Sequence, residues 1–166
     1  MSQQEKAPTM SRPLAKKSEP MPSIASQSLR ARREAVVTAH IEAESIKHDA
    51  AATGATFRHP RYEIIPLGVI ADGKEAVEDL LKQLFVAFPD LKIETSALHQ
   101  SENAIIVECR LTGTHRGPWT GIAASGRRMD LPCVVFFIFD GENLMCERVY
   151  YDQATILRQL SVVASA

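Results

Sequence analysis

The sequence has no excess of charge of either sign and no long hydrophobic run. Its 19 basic and 20 acidic residues give a formal net charge of -1 over 166 residues, whereas nucleic-acid-binding domains are usually basic. The longest apolar run, residues 131–139, is far shorter than the roughly 20 residues of a membrane-spanning helix. We therefore expect a soluble domain with no nucleic-acid partner and no membrane partner.

Standard motifs for nucleotides and metals are also missing. The glycines do not form GxGxxG, GxxxxGKS or GxxxxGKT, and no HxH, HExxH or CxxC spacing occurs. The loops that cradle phosphate and the ligand pairs that hold zinc are therefore not indicated. No Ser/His/Asp or Cys/His grouping stands out for nucleophilic catalysis. We expect neither a cofactor nor a metal site.

The cysteines are odd in number, and all of them, Cys109, Cys133 and Cys146, lie in apolar segments. Such a set does not indicate disulfides, so we expect a reducing, cytoplasmic location.

Residues 1–28 contain four of the nine prolines and no apolar periodicity, which is typical of a disordered tail. The folded domain should then span residues 29–166.

After the tail, the sequence predicts helices before most of the strands. Apolar residues recur at helical spacing from residue 29 to about 48, which predicts a first helix. A short second helix should end near Gly54. The same spacing recurs in a third helix between Asp72, the expected N-cap, and Pro89. Strand-forming segments such as "AIIVECRLTGTH" and "LMCERVYYD" follow, and "QATILRQL" predicts a last helix. This order is that of an α+β fold with hairpin-linked, antiparallel strands.

The segment "THRGPWTGIAASGRR", residues 114–128, combines glycines with arginines in the manner of a phosphate-binding loop. The following "MDLPCVVFFIFD" is rich in β-branched and aromatic residues and predicts a strand, not the helix that such a loop needs. We therefore predict a strand-loop-strand connection. The next strand is apolar on both faces over Cys133–Phe139, so helices should cover one face and a partner subunit or an enclosed cavity the other.

Several segments, in order and spacing, resemble the SnoaL-like polyketide cyclases of the nuclear transport factor 2-like superfamily. They are "FPDLKIE", "TGTHRGPWTG", "SGRR", "FDGEN" and "YYDQATILRQL", and the resemblance covers residues 32–160. It implies a cone in which N-terminal helices pack on a strongly curved, mostly antiparallel sheet that encloses an apolar pocket. It also implies a homodimer across the outer face of the sheet.

The resemblance also implies positions for an acid/base pair. In the best-known cyclases of this kind an aspartate on the last strand and a histidine on the strand before it carry the chemistry. Counting back from "LRQL", those positions fall on Val149 and Val134, which are both apolar. The cyclase mechanism therefore does not transfer directly, and the scaffold with its hydrophobic pocket remains.

Glu147 is the first candidate for a general base. It precedes Val149 by two residues, so both side chains should point to one face of a strand. With Val134, Phe136 and Val149 as an apolar wall, desolvation should raise the pKa of the carboxyl group. The alternative is a structural ion pair with Arg110.

His40 and Glu44 have the i, i+4 spacing of neighbours on a helix, and together they could orient and polarise a substrate. A solvated helix face is the plainer interpretation of this pair. Tyr62 and Tyr151 could donate a hydrogen bond to a substrate carbonyl, although buried tyrosines are more often core residues.

His115 and Trp119 are candidates for the rim of the pocket. His115 precedes the glycine-rich connection and Trp119 lies at its tip, where an aromatic ring could close over a flat apolar ligand. Packing of the hairpin is the alternative explanation for both residues.

These residues lead to one functional hypothesis with two alternatives. The leading one is a cofactor-free acid/base enzyme, of isomerase, cyclase or hydratase type, for a small apolar carbonyl or polycyclic metabolite. The first alternative is a non-catalytic binding module of the same fold for a small apolar molecule. A protein-interaction scaffold is the third, and a filled, closed cone would favour it.

Overall fold

Helices lie before, within and after the strands in the computed structural model, which describes residues 24–160. A π-helical turn, Glu42–Ile46, continues the first helix. None of the helices in this range combines the length and the apolar character needed to cross a lipid bilayer. The α-helices are α1 (Ile24–Ile41), α2 (Ala50–Ala55), α3 (Lys74–Ala87) and α4 (Gln153–Gln159).

Helix α1 begins earlier than the predicted domain boundary. It starts at Ile24, so residues 24–28 are helical although the sequence places them in the tail. The rest of the predicted tail, residues 1–23, lies outside the described residues. The expectation of disorder for that segment therefore stays a prediction.

One sheet contains all the described strands, in the order β2-β1-β6-β5-β4-β3. Neighbours pair antiparallel, except that β1 and β6 are parallel. Bulges interrupt the register of the β3–β4 and β5–β6 pairs, and bulges bend strands. The strands are β1 (Arg61–Ile64), β2 (Val69–Asp72), β3 (Lys92–Gln100), β4 (Ala104–Thr114), β5 (Arg128–Asp140) and β6 (Asn143–Tyr151).

The predicted α+β class, with helices packed on a curved and mostly antiparallel sheet, is confirmed. One local prediction is wrong: Asp72 does not cap α3. It ends β2, and its carboxylate contacts His59 at 2.6 Å and Arg61 at 2.7 Å. Gly73, whose φ is 92°, is the N-cap. The turn between strand and helix needs this positive φ, which glycine adopts without a steric penalty.

The connection from β4 to β5 is the predicted strand-loop-strand, because the loop leads directly into strand β5 and not into a helix. Its tip is a tight turn in which Trp119 and Ile122 exchange two backbone hydrogen bonds. Gly117 lies against the end of α3, where an added Cβ would be 2.5 Å from the carbonyl oxygen of Val86. Only glycine fits such a close approach, and the backbone N–H of Arg116 donates to the carbonyl oxygen of Ala87 at 2.8 Å, which holds the loop against the end of α3.

The two faces of β5 have different environments. Cys133, Val135 and Phe137 point inward and are buried, where they join the core beneath the helices. Val134 and Phe136 alternate with them, are only half-buried, and point to the outer face of the sheet. The inner face is therefore covered by helices, while the outer face carries partly exposed apolar side chains.

Arg33 fixes α1 to the turns at one end of the sheet. The arginine is 6% exposed, and its guanidinium donates to the carbonyl oxygens of Gly141 at 2.7 Å and Glu102 at 2.8 Å. It also stacks over the ring of Phe139, 5.2 Å from the ring centroid. Charge-assisted hydrogen bonds of this kind are stronger than neutral ones.

Replacing Arg33 with Met should destabilise the fold by about 2–4 kcal/mol, because two carbonyl groups lose a charged donor. Urea unfolding followed by circular dichroism measures the change. The matched control is Arg32→Met, since Arg32 makes an exposed ion pair with Glu142 at 2.6 Å and should cost less than about 0.5 kcal/mol. Equal effects of the two substitutions would contradict this role of Arg33.

Candidate functional site

An internal cavity of about 70 Å³ lies between α3 and the inner face of the sheet. Its wall is mostly apolar and includes Leu81 and Leu84 of α3 and Val135 of β5. Two carboxylates, Glu44 and Glu147, belong to this wall, and no Lys or Arg from the described part of the chain does. The site thus combines an apolar surface with acidic groups and no basic group in contact with the cavity.

Four polar side chains meet at one point of this wall. The Nε2 atom of His40 is 2.8 Å from the hydroxyl oxygen of Tyr62, 2.8 Å from Glu147 Oε2 and 3.3 Å from Glu44 Oε2. The Tyr62 hydroxyl is also 3.2 Å from Glu44 Oε2. His40 is 0% exposed and does not line the cavity, so it lies behind the three groups that do.

The secondary structure explains why these groups meet. Parallel pairing of β1 with β6 sets Tyr62 opposite Glu147. His40 lies in the last turn of α1, and the π-helical turn that follows carries Glu44. The phenyl rings of Phe57 and Phe137 make T-shaped contacts with the imidazole, with ring centroids 5.2 Å apart in each case. Insertions that make π-helical turns are frequent at functional sites.

Burial raises the pKa of the Glu147 carboxyl group, and the neighbouring carboxylate of Glu44 raises it further, while His40 acts in the opposite direction. The side chain is almost fully buried. The contact with His40 lacks hydrogen-bond geometry, and Oε2 has no hydrogen-bond partner among the described residues. A buried acceptor without a partner costs free energy, and it is free to take a proton or a donor from a ligand.

His40 supplies the positive charge of the cluster. Burial lowers the pKa of the imidazole, but the facing carboxylates of Glu147 and Glu44 outweigh burial and raise the pKa to about 9. The ring is therefore a cation at neutral pH. Burial, reinforced by the same two carboxylates, raises the pKa of Tyr62 well above 10, so its hydroxyl stays protonated and can donate a hydrogen bond.

Several further residues predicted for the site lie on the cavity wall. Val149 and Tyr151 follow Glu147 along β6, at the same alternate positions. Trp119 is 8% exposed and contacts both the cavity and a groove on the outside of the protein. Trp119 therefore lies between the cavity and that groove, at the tip of the β4–β5 connection.

The predicted pocket positions of Val134 and Phe136 are wrong. The register of the β5–β6 pair sets Val135 opposite Val149, so Val134 and Phe136 belong to the opposite face. There Phe136 packs against Tyr150, with ring centroids 5.6 Å apart. Because side chains alternate along a strand, an error of one residue in register moves a whole set to the other face.

Two other predictions are also corrected by side-chain positions. His115 is fully buried but does not line the cavity; it stacks on Phe88, with ring centroids 5.3 Å apart. Arg110 does not pair with Glu147, because it pairs with Asp130 at 2.6 Å among exposed side chains. The structural ion pair considered for Glu147 is therefore not formed.

Sequence reasoning missed part of the cavity wall and one polar contact of the cluster. Cys109, Cys133 and Val135 line the cavity, and the alternation of β5 would have identified the last two once its register with β6 was known. Thr56 contacts His40 Nδ1 through its hydroxyl oxygen at 2.7 Å. No motif indicates Thr56, because the contact depends on where α2 packs.

Helices on one face of a curved, mostly antiparallel sheet, with a cavity between them, define a nuclear transport factor 2-like domain. The family described as SnoaL-like polyketide cyclase matches residues 34–160. The chain therefore belongs to the SnoaL-like polyketide cyclase family, as the sequence resemblance predicted.

Solved structures share this fold at low sequence identity. A phenazine biosynthesis-related protein from Pseudomonas aeruginosa is 15% identical, with a TM-score of 0.71 over 90% of this chain and 93% of that chain. TsrD from Streptomyces laurentii is 21% identical, with a TM-score of 0.69 over 81% and 98% of the two chains. A protein with a ketosteroid isomerase-like fold from Catenulispora acidiphila, in complex with trimethylamine, is 16% identical, with a TM-score of 0.65 over 76% and 92%. No curated protein matches the sequence.

The charge on His40 should make stability depend on pH in a defined window. The pKa of about 9 in the folded protein lies above the ordinary value of 6.5, so this stabilisation is fully present below pH 6.5 and is lost as the pH rises through about 9. We expect the wild-type protein to lose stability over this window and His40→Gln to lose less. Urea unfolding across the window measures the difference.

The control for this prediction is His59→Gln. His59 contacts Asp72 at 2.6 Å, but both side chains are exposed, so the variant should keep the wild-type pH dependence. Wild type and His40→Gln with the same pH dependence would show that the imidazole does not hold the charge assigned to it.

Proposed function

We propose that this protein is a cofactor-free acid/base enzyme, of isomerase, cyclase or hydratase type, that acts on a small apolar carbonyl or polycyclic metabolite. The observation that carries the proposal is the buried Oε2 of Glu147, which lies at an apolar cavity without a hydrogen-bond partner among the described residues. Such a carboxylate is suited to take a proton from a carbon acid.

Each remaining requirement of the reaction has a candidate group. Tyr62 lies on the same wall, and its protonated hydroxyl, which donates to Glu44 Oε2 at 3.2 Å, can turn to donate to a substrate oxygen on which negative charge develops. The cation of His40, 2.8 Å from Glu147 Oε2, favours the ionised form of the base, against the effect of burial. The apolar side chains exclude water from the proton transfer.

The volume of the cavity bears on the size of the substrate. Sites for drug-sized ligands measure roughly 300–1,000 Å³, whereas this cavity measures about 70 Å³. A small carbonyl compound therefore fits the proposal better than a polycyclic one, which would require the loop at Trp119 to move outward.

The three free thiols, Cys109, Cys133 and Cys146, agree with the reducing, cytoplasmic location that we propose.

Ligand screening and one substitution test the proposal together. Binding of small apolar carbonyl compounds can be followed by the emission of Trp119, the only tryptophan in the sequence, and by thermal shift. A ligand at 100 times its Kd should add about 2.7 kcal/mol of stability. With a substrate in hand, Glu147→Gln should keep binding and lower kcat by at least about 100-fold.

The matched control is Glu108→Gln, because Glu108 also lies 2.8 Å from a histidine, His99, but both side chains are exposed. It should keep the wild-type kcat. Binding without any turnover in the wild-type protein would favour the non-catalytic binding module, for which the apolar Val149 at the cyclase acid/base position argues. If no carbonyl compound binds, the proposed substrate class is wrong.

We also propose that the protein is a homodimer through the outer face of the sheet. Val134, Phe136 and Ile138 of β5 point outward and are half-buried, and Tyr150 of β6 is 41% exposed. Apolar side chains on this face would be covered by the same face of a second subunit. A stable interface of this kind buries at least about 1,000 Å² in total.

Sedimentation equilibrium at micromolar concentration should therefore report a dimer, and Phe136→Glu should convert it to a monomer by placing a charge in the apolar interface. The control is Glu94→Gln on β3, an exposed position whose change should leave the dimer intact. A monomeric wild-type protein at this concentration would rule the interface out.

A further inference from the structure

A hydroxyl group from α2 completes the surroundings of His40 on the side away from the cavity. Thr56 Oγ1 is 2.7 Å from His40 Nδ1, and the same hydroxyl donates to the carbonyl oxygen of Thr53 at 2.7 Å. The remaining polar contacts of the ring are all made by Nε2, with Tyr62, Glu44 and Glu147. The two ring nitrogens therefore have different partners.

The single hydrogen of the Thr56 hydroxyl determines the direction of the contact. A threonine hydroxyl has one O–H donor and two acceptor lone pairs. Because the donor is directed at the Thr53 carbonyl, only a lone pair faces His40. With the hydroxyl hydrogen in that position, Nδ1 carries a proton and donates a hydrogen bond to Thr56 Oγ1. A neutral ring with its proton on Nε2 would require the Thr56 hydroxyl to turn its hydrogen from the Thr53 carbonyl to Nδ1.

We propose that Thr56 is a positioning residue that keeps a proton on His40 Nδ1, so that Nε2 is the only ring nitrogen that exchanges its proton with the groups at the cavity. The charged or titratable groups that face the ring are Glu44 from the π-helical turn, Tyr62 from β1 and Glu147 from β6. The use of this proton in catalysis rests on the proposed function, whereas the assignment of the tautomer does not.

The tautomer that Thr56 favours is the opposite of the one that the two carboxylates alone would favour. Two carboxylates face Nε2, and a neutral imidazole next to them would keep its proton on Nε2 as a donor. With Thr56 as the acceptor, the neutral ring keeps Nδ1–H, and the Nε2 lone pair can accept from the Tyr62 hydroxyl once that hydroxyl turns from Glu44 Oε2 to His40. The cationic ring is stabilised as well, because both of its N–H groups then have acceptors. Buried N–H groups without acceptors cost free energy.

Nuclear magnetic resonance of the full chain with ¹⁵N-labelled histidine tests the assignment without a substrate. His40→Gln identifies the His40 signals among those of the five histidines. In a titration that passes through pH 9, we expect Nε2 to lose its proton while Nδ1 keeps it. Loss of the proton from Nδ1 while Nε2 remains protonated would overturn the proposal.

Three threonine variants separate the role of the hydroxyl from its contribution to packing. Thr56→Val removes the acceptor with little change of shape, so the neutral ring should move its proton to Nε2, and the titration midpoint of His40 should fall by at least about one pH unit. Thr56→Ser restores the acceptor and should restore the wild-type tautomer and midpoint.

Thr53→Val is the matched control. It makes the same substitution within α2, the helix that Thr56 caps, and the Thr53 hydroxyl donates to the carbonyl oxygen of Asp49 at 2.7 Å and not to His40. The Thr53 carbonyl that accepts from Thr56 is kept, so this variant should titrate like the wild type. A Thr56→Val protein with an unchanged tautomer and midpoint would refute the role of Thr56.

The outcomes for this inference and for the proposed function are independent. If Nδ1 keeps its proton and no carbonyl compound binds, the tautomer assignment stands and the proposed function fails. If Glu147→Gln abolishes turnover but Nδ1 loses its proton first, the proposed function stands and the role of Thr56 fails.

Discussion

One imidazole ring connects the parts of the chain that form the site. His40 contacts Tyr62 and Glu147, which lie on strands far apart in sequence and adjacent in the sheet. Each of these groups would be unfavourable alone in an apolar interior. A buried carboxylate requires a counter-charge or a proton, and a buried hydroxyl requires a hydrogen-bond partner. The positions of α1, β1 and β6 are therefore linked through the electrostatics of a single side chain.

The protonation of the cluster follows from its unequal numbers of acidic and basic groups. Two carboxylates, Glu44 and Glu147, share the one cation of His40, and the burial of Glu147 beside Glu44 raises the pKa of the Glu147 carboxyl group. Glu147 differs from Glu44 because Tyr62 donates to Glu44 Oε2, while Glu147 Oε2 has no such partner in the described structure. Similar residues thus acquire different roles from their neighbours, as happens in many acid/base sites.

The sequence predicts the residues of this site better than it predicts their surroundings. Glu147 follows from alternation with Val149, and the pair of His40 and Glu44 follows from helical spacing, because both rules are local. The sequence does not show which face of β5 points inward, because both faces of this strand are apolar and alternation gives no signal there. The sequence consequently places Val134 and Phe136 on the wrong face, and only the register with β6 corrects this.

The cavity wall carries carboxylates and, within residues 24–160, no lysine or arginine. This composition disfavours anions of any shape. A phosphate or carboxylate group brought into the cavity would add negative charge to an apolar space that already holds two acidic side chains, so repulsion and desolvation would both oppose its binding. A neutral molecule would not meet that cost.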